Sequence, residues 1–513
     1  MQGEQGGQST TLLGWMMVSD CSTYVVSMLP VNIHGDHSKM SGMDSALIRE
    51  FILSNNQGIE LNLIAPGGID ETREIQGGFV HYVSHSSQAH LEKWFDLYWT
   101  IIHPEAYLPP ALPAELSLQI FGEEIFSVSD LATYYEKINY HSDTLESESK
   151  LVRSLGERIC SILQYIPKDS TIYWLDFSYD VLNTFLSEIK KKNIKHIFQS
   201  HLCMPSSLFE FRRGKDILLA MSKCDEVQFH TQKDCDSFLK QLNLLGMSFP
   251  LVSLFTGGID CGIHDTKWDL ERAQTLGLNL AKFPSTVELL MDIKESKYSV
   301  PHRFISIDRL DPGKGTHNLL LGIDIFLEGL QLPSAEIQSQ YRFYLLMDYF
   351  HTAITPLVNT PNSKYVNLVR QQVASLMDKY PGVVFVGENI PNRKIIGVLL
   401  ENCHYLSTSS CEGLGMAPQE ALYVNSEVDS SSSAVISLGS GFGTILKESI
   451  ANNSFPILYH VGDINGLVKG IRELSSNSTS DLRRRCSRMV VESLIKPRSL
   501  STSLFIGKRN WEK

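Results

Sequence analysis

Near the middle of the chain stands Ser306-Ile307-Asp308-Arg309-Leu310-Asp311-Pro312-Gly313-Lys314-Gly315. The stretch begins in an apolar run over residues 304–307 and turns through a proline and two glycines before a helical pattern that starts at Asn318. Such a strand–turn–helix junction directs backbone N–H groups and a helix N-terminus at one point, where they can bind a phosphate. Arg309 adds a planar guanidinium and Lys314 a point charge. A surface turn with solvated charges is equally compatible with these residues, so both interpretations stay open.

Short apolar runs alternate with helical patterns along most of the chain, an order typical of parallel sheets with helices on both faces. Twelve runs are predicted as strands, namely residues 24–27, 59–64, 171–175, 196–199, 226–230, 251–255, 304–307, 343–347, 383–386, 404–407, 434–437 and 456–458. Twelve strands are too many for one open sheet of ordinary size. We therefore expect an α/β protein with two doubly wound domains whose strand ends face a central cleft.

The same patterns predict the domain boundaries. Residues 1–21 are expected to form a flexible tail, because their short apolar patch lacks the basic residues of a secretory signal. Residues 22–265 form an N-terminal domain and residues 266–484 a C-terminal domain. Residues 485–513 form a C-terminal segment, for which a return to the N-terminal domain is one option.

The composition excludes several classes of partner. The 513 residues include 45 Lys and Arg against 57 Asp and Glu, which gives a net charge of −12. Nucleic acids and anionic membranes select proteins with an excess of positive charge, so neither is expected as a partner. No uninterrupted apolar run reaches about 18 residues, and no membrane-spanning helix is therefore predicted.

The cysteines carry no recognisable pattern. They are scattered, odd in number and without a Cys-x-x-Cys pair: Cys21, Cys160, Cys203, Cys224, Cys235, Cys261, Cys403, Cys411 and Cys486. Disulfide frameworks and metal clusters both need closer or paired spacing. We therefore expect reduced thiols, no metal site and a cytoplasmic location.

A second loop with glycines follows the strand predicted at residues 404–407. It contains Glu412 and leads into a helix that contains Glu420. Two carboxylates near a helix N-terminus can accept hydrogen bonds from the vicinal hydroxyls of a sugar or a ribose. The alternative is that Glu420 is an ordinary solvated helix residue and Glu412 a helix cap.

Two strand ends in the first half of the chain carry polar side chains. Asp176 follows the strand predicted at residues 171–175, and His201 follows the strand at 196–199. A carboxylate and an imidazole at neighbouring strand ends can orient a hydroxyl nucleophile. Either residue alone is more often structural.

The order of these pieces resembles the trehalose-6-phosphate synthase family, which are retaining glucosyltransferases of the two-domain GT-B fold. The resemblance runs from about Trp99 to Leu474, with a fainter match from Tyr24. It rests on Asp308-Arg309-Leu310-Asp311 with Lys314-Gly315, on Leu175-Asp176-Phe177, on His201 with Pro205-Ser206, on Cys224 to Thr231, on Gly258-Ile259-Asp260, on the loop from Thr408 to Glu420, and on Trp99 with His103.

The resemblance implies a role for each matching residue. The donor diphosphate would be held by Arg309 and Lys314, and the ribose by Glu420. The donor sugar would contact His201, Glu412, Gly413, Leu414, Gly415, Met416 and Ala417. The acceptor would face Gly42, Trp99 and Asp176. Asp176, His201, Arg309 and Lys314 would be the catalytic set.

The resemblance also implies the chemistry. Members of the family transfer glucose from a nucleoside diphosphate with retention and need no metal. We therefore expect no cofactor beyond the nucleotide sugar, which acts as co-substrate. The expected partners are that donor and a small-molecule or glycan acceptor, and a homo-oligomer is an option.

The acceptor half departs from the family pattern. Val26-Ser27-Met28-Leu29-Pro30 lacks the arginine that binds the acceptor phosphate in the family, and Asp348-Tyr349-Phe350-His351 lacks a second one. Leu175 and Ser178 replace the two histidines that flank the Asp176 position. Charge-assisted hydrogen bonds contribute about 1.5–3 kcal/mol each, so an acceptor phosphate would lose several kcal/mol of binding free energy.

Three functions follow from this mixture. The favoured one is a retaining glycosyltransferase that uses a nucleotide sugar, with UDP-glucose expected, and whose acceptor need not be glucose 6-phosphate. The second is a true trehalose-6-phosphate synthase whose acceptor phosphate is bound by other cations such as Lys39 or Arg73. The third is a non-catalytic regulatory or scaffold member of the family.

Overall fold

The structure is a computed structural model that describes thirteen ranges of the chain. They are residues 23–27, 61–67, 70–75, 78–84, 99–139, 144–176, 178–183, 193–255, 284–296, 299–348, 361–388, 393–449 and 454–495. These residues form two α/β domains, each built on its own sheet. The predicted two-domain α/β architecture is confirmed.

The N-terminal sheet has eight strands in the order β3-β4-β2-β1-β5-β6-β7-β8. All neighbours are parallel except β3 and β4, which are antiparallel. The strands are β1 (Thr23–Val26), β2 (Leu61–Gly67), β3 (Glu71–Ile75), β4 (Gly78–Ser84), β5 (Thr171–Leu175), β6 (Lys195–Gln199), β7 (Glu226–Phe229) and β8 (Leu251–Leu254).

The C-terminal sheet has six parallel strands in the order β11-β10-β9-β12-β13-β14. They are β9 (His302–Arg309), β10 (Tyr341–Asp348), β11 (Val384–Glu388), β12 (His404–Ser407), β13 (Ala434–Ser437) and β14 (Ile457–Tyr459). The chain runs outward in one direction from β9 and in the other from β12. The pair β9 and β12 is therefore the switch point of the sheet, and open α/β sheets bind ligands in the crevice at such a point. The loops that follow these two strands are the predicted phosphate loop and the predicted sugar loop.

Helices connect the strands and cover the sheets. In the N-terminal domain they are α1 (Ala114–Phe121), α2 (Val128–Asn139), α3 (Thr144–Leu163), α4 (Arg212–Ser222) and α5 (Gln232–Leu244). In the C-terminal domain they are α6 (Pro284–Ser296), α7 (Thr316–Glu328), α8 (Ser334–Gln340), α9 (Pro361–Lys379), α10 (Arg393–Leu400), α11 (Met416–Glu427), α12 (Gly441–Ser449), α13 (Ile464–Leu474) and α14 (Ser480–Leu494). In the described ranges, no helix combines the length and apolarity needed to cross a membrane.

Each of the twelve predicted strands is present, with ends that differ by a few residues at most. The prediction missed β3 and β4. The strand β3 has charged residues at Glu71, Arg73 and Glu74, a composition that protects an exposed sheet edge from pairing with other chains. Because it lacks an apolar run, periodicity alone does not identify it.

The last described helix corrects one predicted boundary. Helix α14 packs against α11, and Val490 and Ile495 are buried in a C-terminal core cluster. Residues 485–495 therefore belong to the C-terminal domain, and a return to the N-terminal domain does not hold for them. Residues 496–513 and the predicted tail over residues 1–21 lie outside the described residues.

The two domains share a continuous core and specific hydrogen bonds. One buried apolar cluster extends from the N-terminal domain to one face of the C-terminal sheet. The hydroxyl of Tyr107 donates to Asn362 Oδ1 at 2.6 Å, and Lys364 Nζ donates to the carbonyl oxygen of Ile120 at 2.8 Å. His317 Nε2 lies 2.8 Å from the carbonyl oxygen of Ala111. These contacts fix the position of one domain relative to the other.

His317 makes this interface sensitive to acid. Burial lowers its pKa from 6.5 to about 4, and the hydrogen bond from Nε2 to the carbonyl oxygen of Ala111 only partly opposes this effect. The neutral ring accepts a hydrogen bond from the Tyr365 hydroxyl at Nδ1. Between pH 6.5 and 4 the unfolded chain takes up the proton and the folded chain does not, so the free energy of unfolding should fall as the pH drops through this window. We expect His317→Gln to reduce that pH dependence, measured as urea midpoints from pH 7 to pH 4.5. The exposed His460 supplies the control, since His460→Gln should keep the wild-type slope.

Candidate active site

The turn after β9 has the predicted strand–turn–helix form. The strand ends at Arg309, a 3-10 turn spans Pro312–Lys314, and α7 begins at Thr316. Gly315 connects turn and helix with φ of +63°, a left-handed conformation that favours glycine. A Cβ at Gly315 would lie 2.4 Å from the carbonyl oxygen of Thr408, so the turn packs directly on the loop after β12. The two loops at the switch point thus form one unit.

Lys314 lies inside this unit, between two carboxylates. Its ammonium donates a hydrogen bond to Glu412 Oε1 and lies 3.6 Å from Asp308 Oδ1. Its side chain is only 11% exposed, so the interpretation as a solvated surface charge is wrong for this residue. Burial would lower the pKa of Lys314, but the two carboxylates raise it above the ordinary value. The ammonium therefore stays charged.

The two carboxylates around Lys314 are tuned differently. Burial would raise the pKa of Glu412, but Lys314 and the Ser409 hydroxyl, which donates to Oε2 at 2.9 Å, hold it below the ordinary value. Burial raises the pKa of Asp308 to about 6, and Lys314 opposes this effect. Glu412 is thus an ionised acceptor at neutral pH. Asp308 and Ser409 belong to the two motifs that carry the resemblance, but neither was predicted to have a role of its own.

Arg309 faces the N-terminal domain. Its guanidinium carbon lies 4.8 Å from the ring centre of Trp99, and its Nε lies 3.3 Å from Asp311 Oδ2. The side chain is 38% exposed, so the guanidinium borders the cleft. Its positive charge also acts on Lys314 and partly opposes the two carboxylates that raise the pKa of that lysine. Arg309 and Lys314 therefore belong to one electrostatic cluster at the junction of the domains.

The loop after β12 brings the remaining donor-side residues to the same place. The backbone N–H of Glu412 donates to the carbonyl oxygen of Gly439 at 3.1 Å, and the N–H of Gly441 donates to the backbone carbonyl oxygen of Glu412 at 2.9 Å. Helix α11 begins at Met416, so the predicted residues Leu414, Gly415, Met416 and Ala417 lie at its N-terminus. Glu420 is 2% exposed, so the alternative of a solvated helix residue is wrong. Their contacts with a donor stay predictions.

Asp176 and His201 come together as predicted. Asp176 follows β5, and its two carboxylate oxygens each lie 3.1 Å from the backbone N–H of His201. The ring nitrogen Nδ1 of His201 lies 3.2 Å from Asp176 Oδ2. The ring of His201 packs against Phe255 and His230, with ring centres 5.2 and 5.6 Å away. Asp176 is thus placed to orient the His201 loop.

Gly413 connects this pair to the donor-side loops. A Cβ at Gly413 would lie 2.1 Å from the carbonyl oxygen of His201, so only glycine allows the loops of the two domains to approach this closely. The donor-side cluster and the Asp176–His201 pair therefore border a common space.

A disulfide spans the same junction and corrects the expectation of reduced thiols. Cys203 and Cys411 are bonded, with Cα atoms 6.4 Å apart and a sequence separation of 208 residues. Their pairing results from the contact between domains, which sequence spacing does not reveal. Cys160, Cys224, Cys235, Cys403 and Cys486 are buried thiols outside this disulfide, while Cys21 and Cys261 lie outside the described residues.

The residues predicted for the acceptor are only partly described. Trp99 is buried, and its ring centre lies 4.2 Å from that of His103, whose pKa burial lowers to about 3. Arg73 lies on the edge strand β3, which three strands separate from β5, and pairs with Glu71 at 2.7 Å. It is not among the residues that meet at the junction. The remaining acceptor-side positions, Gly42, Lys39, 28–30 and 349–351, lie outside the described residues.

Two Rossmann-like domains whose switch points face each other define the GT-B fold. Solved structures with this fold confirm the predicted resemblance to trehalose-6-phosphate synthases. The chain is similar to an α,α-trehalose-phosphate synthase (UDP-forming) of Burkholderia xenovorans in complex with glucose-6-phosphate, with a TM-score of 0.65, 12% identity and coverage of 92% of this chain and 96% of that one.

Two further structures are similar over comparable lengths. One is a trehalose-6-phosphate protein from E. coli bound with UDP-2-fluoro glucose, at a TM-score of 0.63, 14% identity and coverage of 94% and 97%. The other is the N-terminal domain of a trehalose-6-phosphate phosphatase of Candida albicans, at a TM-score of 0.64 and 16% identity, with coverage of 98% of this chain and 97% of that one. The sequence matches no protein-family model and no curated protein. At such identities the likeness shows the fold.

Proposed function

We propose that the protein is a retaining glycosyltransferase that transfers glucose from UDP-glucose to a hydroxyl acceptor without a metal ion. The observation that carries the proposal is the cluster of Arg309, Lys314 and Glu412 at the domain junction, opposite Asp176 and His201. The E. coli and Burkholderia xenovorans structures, which hold UDP-2-fluoro glucose and glucose-6-phosphate, support it by their fold.

Arg309 and Lys314 would stabilise the leaving group. As the bond between the sugar and the diphosphate breaks, negative charge grows on the diphosphate oxygens. Preorganised cations in a site shielded from water stabilise such charge without rearranging, and one such group contributes about 10²–10³ in rate. Lys314 is already charged and held in place by Glu412 and Asp308. Arg309 is fixed between Asp311 and the ring of Trp99.

Glu412 and the start of α11 would bind the donor sugar. Glu412 is ionised and has oxygens able to accept hydrogen bonds from sugar hydroxyls, while the N-terminus of α11 supplies backbone N–H groups near the diphosphate. Glu420 would bind the ribose. His201 would contact the sugar from the opposite domain, and Asp176, which accepts the His201 N–H, would position it and face the acceptor.

The acceptor is proposed to be an unphosphorylated or larger hydroxyl compound. The family's two phosphate-binding arginines have no counterpart in the sequence, and Arg73 lies at the far edge of the N-terminal sheet. A true trehalose-6-phosphate synthase would need other cations for the phosphate. An acceptor screen with and without glucose 6-phosphate distinguishes the two.

A non-catalytic regulatory domain is the second candidate function. The observation in its favour is that the same fold forms the N-terminal domain of the Candida albicans phosphatase. The buried cluster of Lys314 with two carboxylates counts against it, because a scaffold has no need for a buried ammonium at a cleft.

Nucleotide binding tests the proposal directly. A ligand at a hundredfold its dissociation constant stabilises the folded state by about 2.7 kcal/mol. We expect UDP, at saturating concentration, to raise the thermal unfolding temperature of the full chain, and ADP and GDP to raise it less. Hydrolysis of UDP-glucose, followed by the acceptor screen, then tests transfer. If no nucleotide shifts the transition, the glycosyltransferase proposal fails and the regulatory one is favoured.

A further inference from the structure

Three side chains with metal-binding chemistry meet beside the proposed donor pocket. One ligand atom from each of His103, Cys203 and Cys411 lies within 4.8 Å of the other two. His103 and Cys203 belong to the N-terminal domain, whereas Cys411 directly precedes Glu412 in the C-terminal domain. The group therefore joins the two domains at the edge of the cleft.

His103 has the hydrogen bonding of a metal ligand. Its Nδ1 lies 3.0 Å from the carbonyl oxygen of Trp99. A carbonyl oxygen only accepts, so Nδ1 carries the proton and the lone pair lies on Nε2. Histidines that bind metals usually donate their other ring N–H to a carbonyl or a carboxylate, which fixes the orientation of the ring. The Trp99 ring, 4.2 Å away between centres, further restrains it.

The two cysteines supply the other ligands once their bond is reduced. A dithiol reductant transfers two electrons and two protons, so Cys203 and Cys411 become thiols and the reductant becomes a cyclic disulfide. A bound divalent cation then displaces both thiol protons and takes two thiolates and one imidazole. In a tetrahedral zinc site with bonds of about 2.0–2.3 Å the ligand atoms lie about 3.5–3.8 Å apart. The two sulfurs therefore separate once their bond is broken, and small side-chain rotations bring the three ligand atoms to these distances.

We propose that Cys203, Cys411 and His103 form a redox-gated site for Zn²⁺ or a similar thiophilic cation. The reduced protein binds the ion as two thiolates, and the disulfide excludes it because its sulfurs are neutral and bind cations only weakly. Two cysteines and one histidine leave a fourth coordination position open, as in zinc sites with three protein ligands. The site bridges the domains in either state. This inference is independent of the proposed transferase activity.

Zinc binding to the two redox forms of the full chain tests the proposal. One sample is reduced under anaerobic conditions and freed of the reductant, and the other keeps the disulfide, which peptide mass analysis verifies. Each is titrated with Zn²⁺ against a chromogenic chelator. We expect the reduced form to bind one more Zn²⁺ per chain than the disulfide form. The other described cysteines are thiols in both samples, so their contribution cancels.

Alanine variants locate the site. Cys203→Ala and Cys411→Ala should each abolish the additional binding, and His103→Gln, which removes a direct ligand, should weaken it by more than the about 10–100-fold that the loss of an outer-shell partner costs. Cys486→Ala, which removes a buried free thiol in α14, should bind as wild type. Equal zinc binding by the reduced and disulfide forms overturns the proposal, even where a variant does not fold. Binding that survives both cysteine substitutions overturns it as well.

Discussion

Lys314→Met is expected to lower glucose transfer by about 10²–10³-fold while the chain still folds. The substitution keeps the length of the side chain and removes the charge that would stabilise the departing diphosphate. It also leaves Glu412 and Asp308 buried without their cation, and breaking a buried pair costs about 3–5 kcal/mol of stability. The loss of transfer is measured as kcat/KM for UDP-glucose, and the loss of stability by urea unfolding.

Two further variants separate these effects. In Lys314→Met/Glu412→Gln one unpaired carboxylate is neutralised, so the stability should partly recover while transfer stays low. Lys379→Met is the matched control, since Lys379 also donates to two carboxylates, Asp324 and Glu328, but on the surface of the C-terminal domain. It should transfer at the wild-type rate. Wild-type transfer by Lys314→Met would refute the role of this ammonium.

The sheets were predictable because their signals are local. Buried parallel strands are continuous apolar runs, and the loops after β9 and β12 carry the turn residues of strand–helix junctions. The edge strand β3 was not predicted because its charged residues suit an exposed sheet edge and do not form an apolar run. The predicted order of loops was enough to bring Arg309, Lys314 and Glu412 to one switch point.

Contacts between distant segments were not predictable in the same way. Nothing near Cys203 indicates a partner 208 residues away, because the pairing depends on how two folded domains face each other. The same holds for Arg309 on Trp99 and for Gly413 on the His201 carbonyl. Burial also decided between the open alternatives for Lys314 and Glu420, since the sequence does not show whether a charged side chain is solvated or buried. Charge pairing within the enclosed cluster, as between Lys314 and Asp308, emerges only from the fold.

Arg309→Gln is expected to reduce transfer by about 10²–10³-fold, with a smaller effect on stability than Lys314→Met. The guanidinium is 38% exposed and lies at the cleft between Asp311 and the Trp99 ring, so its removal leaves less buried charge unpaired. Glutamine cannot replace a cation that meets two phosphate oxygens in a bidentate manner. The affinity for UDP, measured by calorimetry, should fall together with kcat, whereas the KM for the acceptor should change little.

Arg342→Gln is the matched control for this variant. Arg342 also pairs with a carboxylate, Asp292 at 3.4 Å, and its guanidinium carbon lies 5.8 Å from the ring centre of Phe385. It lies at the amino end of β10, opposite the carboxyl ends where the loops after β9 and β12 meet, and is therefore expected to affect stability alone. If Arg309→Gln and Arg342→Gln impair transfer equally, the loss reflects weakened packing of the C-terminal domain. A selective loss in Arg309→Gln, together with weaker UDP binding, instead assigns the diphosphate to the pocket where the two domains meet.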